Sequence, residues 1–278
     1  MKILLAGATG YIGGVVAEKL LERGHEVVAL VRQAGRLPYE ERVADLADPA
    51  AVAAAVTPDV DAVVHAAQLT GDPEVDLATV TALTARPVHY LSGVWVLGET
   101  RDGTEDSPVD PYPIVAHRPE IEQLVLGAGG SVVRPGVVHG RGQGIVALLK
   151  SVAAERGTGV YVSADGQAPT WTFVNVDDLA DLVVLAAERG VSGEILHAIA
   201  EEAVPVEEVA VAAARAAGVK PEARPWPLAE AAQLLGEPFA GALARSQRVS
   251  SARTRQAHGW VPTRLGVLSD LVEGSYAP

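Results

Sequence analysis

The chain opens on Lys2-Ile3-Leu4-Leu5-Ala6, an apolar run that meets three glycines at Gly7, Gly10 and Gly13. A helical pattern follows through Val15 to Arg23. After Gly24 a second apolar run, Glu26-Val27-Val28-Ala29-Leu30-Val31, completes a strand–helix–strand unit. A strand that ends in glycines and turns straight into a helix aims backbone N–H groups, and the positive end of the helix dipole, at whatever lies ahead. A pyrophosphate suits that position. Gly7 permits the tight turn, Gly10 lets the phosphates approach, and Gly13 lets the helix pack on the strand. The spacing is GxxGxxG, and the candidate phosphate-facing residues are Gly7, Thr9, Gly10, Tyr11, Ile12 and Gly13.

The end of the second strand bears on which dinucleotide is expected. An acidic residue about 20 positions past the glycines binds the ribose 2′-hydroxyl of NAD. Here the place holds Val31 and Arg32, with Arg36 a few residues on. The sequence offers no carboxylate there to repel a 2′-phosphate, and it offers guanidinium groups to grip one. NADP(H) is therefore expected over NAD(H).

Composition excludes several classes. The net charge is −13 with no basic cluster, so nucleic acid and anionic membrane are not expected partners. There is no cysteine, hence no disulfide framework and no thiol catalysis. The seven histidines are scattered without metal-ligand spacing, so no metal is expected. No apolar run is long enough to span a bilayer. A strand at residue 2 leaves no room for a leader, and a cytoplasmic location is expected.

Strand and helix signals alternate through most of the 278 residues. Arg42–Leu46 reads as a short third strand. Asp48-Pro49 caps a helix through Val56. Asp61–Ala67 suits a buried central strand, and further strands are expected at Pro87–Ser92, Ser131–Pro135 and Glu194–Ile199. Val176-Asp177-Asp178 opens a helix to about Glu188; Asp at a helix start reads as a cap for free N–H groups before it reads as an acid/base pair. Beyond about residue 203 the pattern turns helical and is interrupted by Pro221, Pro225, Pro227 and Pro238. The expected fold is α/β: a Rossmann-type doubly wound parallel sheet with a smaller, mainly helical C-terminal substrate lobe. The expected division is 1–200 for the NADP-binding domain, with part of the substrate pocket at about 140–175, and 201–278 for the lobe that closes over the ligand crevice.

Together these landmarks resemble the extended branch of the short-chain dehydrogenase/reductase superfamily, the NAD-dependent epimerase/dehydratase-like proteins. The residues that carry the resemblance are the Gly7–Gly13 loop, Asp45-Leu46, His65-Ala66-Ala67, Ser92 to Gly98, Arg134 to Gly140, Phe173 to Ala180 and Gly259-Trp260-Val261-Pro262. The resemblance implies that Asp45 and the Leu46 backbone hold the adenine. It implies that Ala66 and Ala67 lie along the ribose and pyrophosphate path, and that Pro135, Gly136 and Val137 flank the nicotinamide. It also implies pairing as a homodimer through a helical bundle.

Family members use a Ser/Thr–Tyr–Lys set, and this sequence departs from it. The Ser/Thr position, five residues before Gly98, is Gly93; Ser92 is its neighbour, on the opposite face of a strand. The Tyr-x-x-x-Lys pair is broken in either register. With Tyr112 as the tyrosine the lysine position is Ala116; matching Glu122-Gln123-Leu124-Val125 to the family's helix puts Arg118 at the lysine position and Ile114 at the tyrosine position. Pro113 and Pro119 point to a helix that starts late or kinks. An unassisted Tyr has a pKa near 10, too high for a base at neutral pH. Arg118 supplies a fixed charge but cannot shuttle protons, whereas His117 can. Tyr112, His117 and Arg118 are the candidate substitute set.

The resemblance also bears on the substrate. Nucleotide-sugar enzymes of the family often carry an Arg where this chain has Trp171, and an indole favours an apolar or ring-shaped ligand. Trp95, His139, Tyr161 and Trp171 are the candidate substrate-binding residues. The leading expectation is an NADP(H)-dependent oxidoreductase or epimerase-like enzyme acting on a small hydrophobic or aromatic carbonyl compound, with a non-standard proton donor. The alternatives are a non-redox cyclase, isomerase or dehydratase on the same fold, and a non-enzymatic NADP-binding regulator.

Overall fold

The computed structural model describes residues 1–277. The first part of the chain alternates strictly: β1 (Lys2–Ala6), α1 (Tyr11–Glu22), β2 (Glu26–Val31), β3 (Glu40–Val43), α2 (Pro49–Ala55), β4 (Ala62–His65), α3 (Pro73–Leu83) and β5 (Val88–Leu91). Then come β6 (Thr100–Gly103), α4 (Arg118–Gly127), β7 (Ser131–Pro135), β8 (Val137–His139), α5 (Gly144–Arg156), β9 (Thr158–Ser163), β10 (Thr170–Asn175), α6 (Val176–Glu188) and β11 (Ile195–Ala198). The remainder is β12 (Glu201–Pro205), α7 (Val206–Ala216), β13 (Lys220–Pro227), α8 (Leu228–Leu235), α9 (Glu237–Leu243), β14 (Gln247–Val249), α10 (Ala252–His258) and α11 (Val267–Glu273).

The chain divides into two units that interleave in sequence. The first comprises Met1–Ser92, His117–Arg134 and Ala180–Leu196; the second comprises Gly93–Ala116, Pro135–Leu179 and the residues from His197 onward.

A seven-stranded sheet in the order β11-β7-β5-β4-β1-β2-β3 organises the first unit. The pairings from β3 through β2, β1, β4 and β5 to β7 are parallel. This is the expected doubly wound sheet. Its inner strands are apolar on both faces: Ile3, Leu4 and Leu5 of β1 and Val63 and Val64 of β4 have no exposed surface. The strand order reverses between β1 and β4, which makes the C-terminal ends of those two strands the switch point where α/β sheets bind ligands. Two helices on the sheet start the same way. Asp48 precedes Pro49 and accepts from the N–H groups of Ala50 and Ala51; Asp72 precedes Pro73 and accepts from Glu74 and Val75. Each cap is worth about 1 kcal/mol. The third strand sits earlier than the sequence pattern indicates, at Glu40–Val43 instead of Arg42–Leu46. The carboxylate of Asp45 takes the N–H of Ala47 at 3.0 Å, and that local turn ends the extended run.

The second unit holds three small sheets, β12-β10-β8, β13-β9 and β14-β6. Its core gathers Trp171, Phe173, Trp226, Tyr161 and the apolar faces of α5 and α7. The segment after 203 is not uniformly helical. Pro221, Pro225 and Pro227 lie on β13, which pairs in parallel with β9. Proline donates no N–H, so an edge strand with one neighbour tolerates it. Pro238 falls in the first turn of α9, where its missing N–H costs nothing. The helix start at Asp177-Asp178 is served differently from the expectation. Asn175 Oδ1 accepts from the N–H of Asp177 at 2.9 Å. Asp178 accepts from the N–H groups of Thr263 and Arg264, and its carbonyl receives the Trp260 indole N–H at 3.0 Å. The Trp260-Val261-Pro262 turn is thereby docked on the start of α6.

No helix among the described residues is long and apolar enough to cross a membrane.

Candidate functional site

The glycine loop leaves the C-terminal end of β1 and enters α1 with Gly10 as the N-cap in extended conformation; no side chain caps the helix. Thr9 and Gly10 are exposed, Tyr11 and Ile12 half-buried. The three glycines do different work. Gly7 has φ +95°, and a Cβ there would stand 2.7 Å from the Ala66 carbonyl carbon and the Ala67 nitrogen. The loop thus rests against the chain leaving β4, and Gly7, Ala66 and Ala67 meet at the switch point. A Cβ on Gly13 would stand 2.0 Å from the Gly7 carbonyl oxygen, so α1 packs on the loop only as glycine. Gly10 has 3.3 Å to its nearest neighbour, Gly7 O, and otherwise faces open space. An uncapped helix start beneath a glycine-surfaced loop is a phosphate cradle. The residues fit a dinucleotide.

Asp45 is exposed and commits its Oδ1 to Ala47; the Leu46 carbonyl receives the Thr79 hydroxyl at 2.6 Å. Arg32 and Arg36 are exposed, and neither guanidinium has a hydrogen bond or ion pair among the described residues. Residues 32–39 contain no carboxylate of their own. The fold brings one in: Glu41 of β3 accepts from the N–H groups of Gly35, Arg36 and Leu37.

At the C-terminal end of β5 the Arg118 guanidinium donates from Nη1 to the Ser92 carbonyl at 2.6 Å. Ser92 is buried, and its Oγ has no partner. Arg118 opens α4, after Pro113 has started a single 3-10 turn at 113–115 and before Pro119 in the first helical turn. The late helix start follows from those prolines. His117, half-buried, has its pKa lowered by burial and then by the neighbouring Arg118 charge. Glu122, one turn further along α4, is buried and grips Arg134 of β7 with bonds of 3.1 and 2.5 Å. Three histidines, His65, His89 and His197, are buried on strands of the sheet. His65 at the end of β4 has both ring nitrogens unpartnered and its ring centroid 5.4 Å from that of Tyr90. Burial lowers its pKa to about 4.

In the second unit Tyr112 is 3% exposed, and its hydroxyl is buried without a partner. Burial pushes the phenol well above its ordinary pKa, with the Glu99 charge adding to the effect. Its ring lies 6.3 Å from that of Trp95 and under the Arg245 guanidinium. Trp95 is half-buried, with Phe239 of α9 6.1 Å away. Phe239, the lone aromatic of α9, belongs to no motif and is brought beside Trp95 by packing alone. The remaining aromatics sit in the core. Trp171 and Tyr161 are about one-twentieth exposed, and the Tyr161 hydroxyl is taken by the Gly166 carbonyl at 3.2 Å. His139 has no exposed surface; its Nδ1 bonds Asp270 at 2.9 Å, and its ring packs edge-on to Phe173. Pro135, Gly136 and Val137 join β7 to β8. The Gly136 N–H donates to Ala198 O at 3.2 Å, and a Cβ on Gly136 would meet Thr172 O at 2.8 Å.

The family model described as NAD dependent epimerase/dehydratase matches residues 3–119. A 3-diazoavenalumate denitrifying reductase from a Streptomyces species is 33% identical, over 95% of this chain and 96% of that protein. An uncharacterized protein of Schizosaccharomyces pombe is 32% identical, over 99% of this chain and 100% of its own length. The crystal structure of human epimerase family protein SDR39U1 with NADPH superposes with a TM-score of 0.76 at 23% identity, covering 99% of each chain. With its glycine cradle at the switch point of the sheet and relatives matched end to end, the chain belongs to the NAD dependent epimerase/dehydratase family.

Proposed function

We propose that the chain is an NADPH-dependent reductase of a small aromatic or hydrophobic carbonyl-type compound. The observation that carries the reading is the cradle at Gly7, Gly10 and Gly13, where a Cβ at position 13 would collide with the loop at 2.0 Å and the helix start is left uncapped. The Streptomyces relative is a reductase by name, which supports the reaction class.

The glycine loop and the start of α1 hold the pyrophosphate, and Ala66 and Ala67 border it. Arg32 and Arg36 meet the 2′-phosphate, Asp45 and Leu46 the adenine, and Pro135, Gly136 and Val137 the nicotinamide. When bound, the dihydronicotinamide supplies a hydride. Arg118 is the fixed positive charge at the register position of the family's lysine, steadied by the Ser92 carbonyl. Its remaining N–H groups polarise the substrate oxygen. His117 handles the proton, because its ionisation is the one nearest neutrality among the candidates. Tyr112 packs beneath Trp95; its enclosed phenol is withdrawn from proton transfer. Trp95 with Phe239 forms the face on which a planar substrate stacks. Tyr161, Trp171 and His139 support that wall from the core.

The test is the loss of NADPH absorbance with a panel of aromatic ketones, enones and diazo compounds. Turnover with any of them that disappears in Arg118→Ala supports the reading. Absence of turnover across the panel, with nucleotide bound, rejects it in favour of non-redox chemistry.

A further inference from the structure

The loop Arg32–Tyr39 contains an anion of the protein's own. Glu41, on edge strand β3, reaches back over the loop. Its Oε1 accepts from the N–H groups of Arg36 and Leu37 at 3.1 Å each, and its Oε2 accepts from Gly35. Gly35 has φ +92°, a left-handed conformation that turns successive N–H groups toward one point. Such a run of amides is an anion nest, and here a carboxylate from the same chain fills it. The amides hold Glu41 below the usual carboxylate pKa, the Gly35 bond most of all, and so in its charged form.

Beside a 2′-phosphate, a carboxylate has two opposed effects. Its charge repels the phosphate, and salt screens that repulsion only beyond about 10 Å; the three amide N–H groups that Glu41 accepts from offset part of its charge at closer range. Its bonds also order the turn that carries Arg36. A guanidinium grips phosphate through paired, directional bonds, so its affinity depends on where its backbone is held. The backbone of Arg36 is tied to Glu41, while its guanidinium has no hydrogen bond or ion pair among the described residues. With its charge partly met by three amides, Glu41 acts on the subsite chiefly through the turn that it orders.

We infer that Glu41 is the positioning residue of the 2′-phosphate subsite: by tying the amides of Gly35, Arg36 and Leu37 it fixes the turn from which Arg36 meets the phosphate, and so sets the preference for NADPH over NADH. The inference rests on the roles proposed above for Arg32 and Arg36.

The experiment titrates the full-length protein and its variants with NADPH and with NADH at one ionic strength, reading nucleotide fluorescence. Glu41→Ala is expected to weaken NADPH about tenfold, the loss of one charge-assisted contact, and to leave NADH unchanged. Glu41→Gln keeps an acceptor for Arg36 and Leu37 and is expected to fall between. Arg36→Ala loses the same preference, and adding Glu41→Ala to it changes nothing further. The inference is overturned if Glu41→Ala tightens NADPH, weakens both nucleotides alike, or leaves NADPH untouched while Arg36→Ala weakens it. If Arg32→Ala and Arg36→Ala both leave NADPH binding unchanged, the reading of the arginines falls and the inference with it.

Discussion

The guanidinium of Arg118 is bonded to the backbone carbonyl of Ser92 at 2.6 Å, which ties the first residue of α4 to the end of β5. That bond fixes a permanent positive charge at the end of β5. Arg118→Ala is expected to lower kcat by about 100-fold or more, in the range of losing an electrostatic contact to the developing oxyanion. Arg118→Lys should recover part of it, since the charge returns without the fork. Ser92→Ala breaks no hydrogen bond of the folded protein and removes an enclosed hydroxyl, so it should leave the melting temperature and kcat nearly unchanged. Steady-state kinetics beside thermal melts check both.

Tyr112 and His117 separate cleanly by experiment. Tyr112→Phe removes an enclosed hydroxyl that has no partner, and turnover should stay within about twofold. His117→Gln should lower kcat/KM and remove an ionisation from its pH profile. Burial and Arg118 hold that ionisation below the ordinary histidine value of 6.5. A profile of kcat/KM against pH for both variants decides between them; a large loss in Tyr112→Phe returns the proton to the phenol.

Acid stability should report His65 and His89. His65 and His89 are both lowered to about 4, chiefly by burial, from an unfolded value of 6.5. Between those values the unfolded chain holds more protons than the folded one, so stability rises with pH across the window. It is fully present above pH 6.5 and is lost as pH falls to about 4, by on the order of 3 kcal/mol for each ring. His65→Leu removes one of the two without breaking a hydrogen bond, because neither ring nitrogen has a partner. Melting temperature against pH should show a shallower acid limb in that variant; an unchanged limb contradicts the assignment.

Gly13 and Gly10 should fail in different ways. A Cβ at Gly13 meets backbone at 2.0 Å, and backbone cannot yield as a side-chain tip can. Gly13→Ala is expected to destabilise by several kcal/mol, as overpacking does at its worst. A Cβ at Gly10 meets only the Gly7 carbonyl oxygen, at 3.3 Å, so Gly10→Arg should fold at a small cost in melting temperature yet lose nucleotide binding.

Much of the sheet was legible in the sequence because its inner strands are buried on both faces. β2 spans Glu26–Val31 as its apolar run indicates, and β7 spans Ser131–Pro135. Asp48-Pro49 gave its helix start for the same local reason that the structure shows, a side chain on two free N–H groups. What stayed hidden depends on contacts between distant or unlike segments. The prolines of β13 read as breaks because sequence does not say which strand has only one neighbour. Glu41 was invisible to a search of the loop because it enters from the next strand. Asp76 holds Thr70 and Gly71 from α3 in the same manner, with bonds of 2.8 and 3.0 Å to their amides. The enclosure of Tyr112, His139 and Trp171 likewise comes from packing that a list of residue types does not contain.

The central claim is that the first turn of the chain seats a dinucleotide and that the arginines after β2 select its phosphorylated form. Isothermal titration of the wild-type protein and Gly10→Arg with NADPH and NADH tests it most directly. The account predicts that wild type binds NADPH at least about tenfold tighter than NADH and that the variant, still folded, binds neither. NADH binding as tightly as NADPH, or undiminished binding by Gly10→Arg, contradicts it.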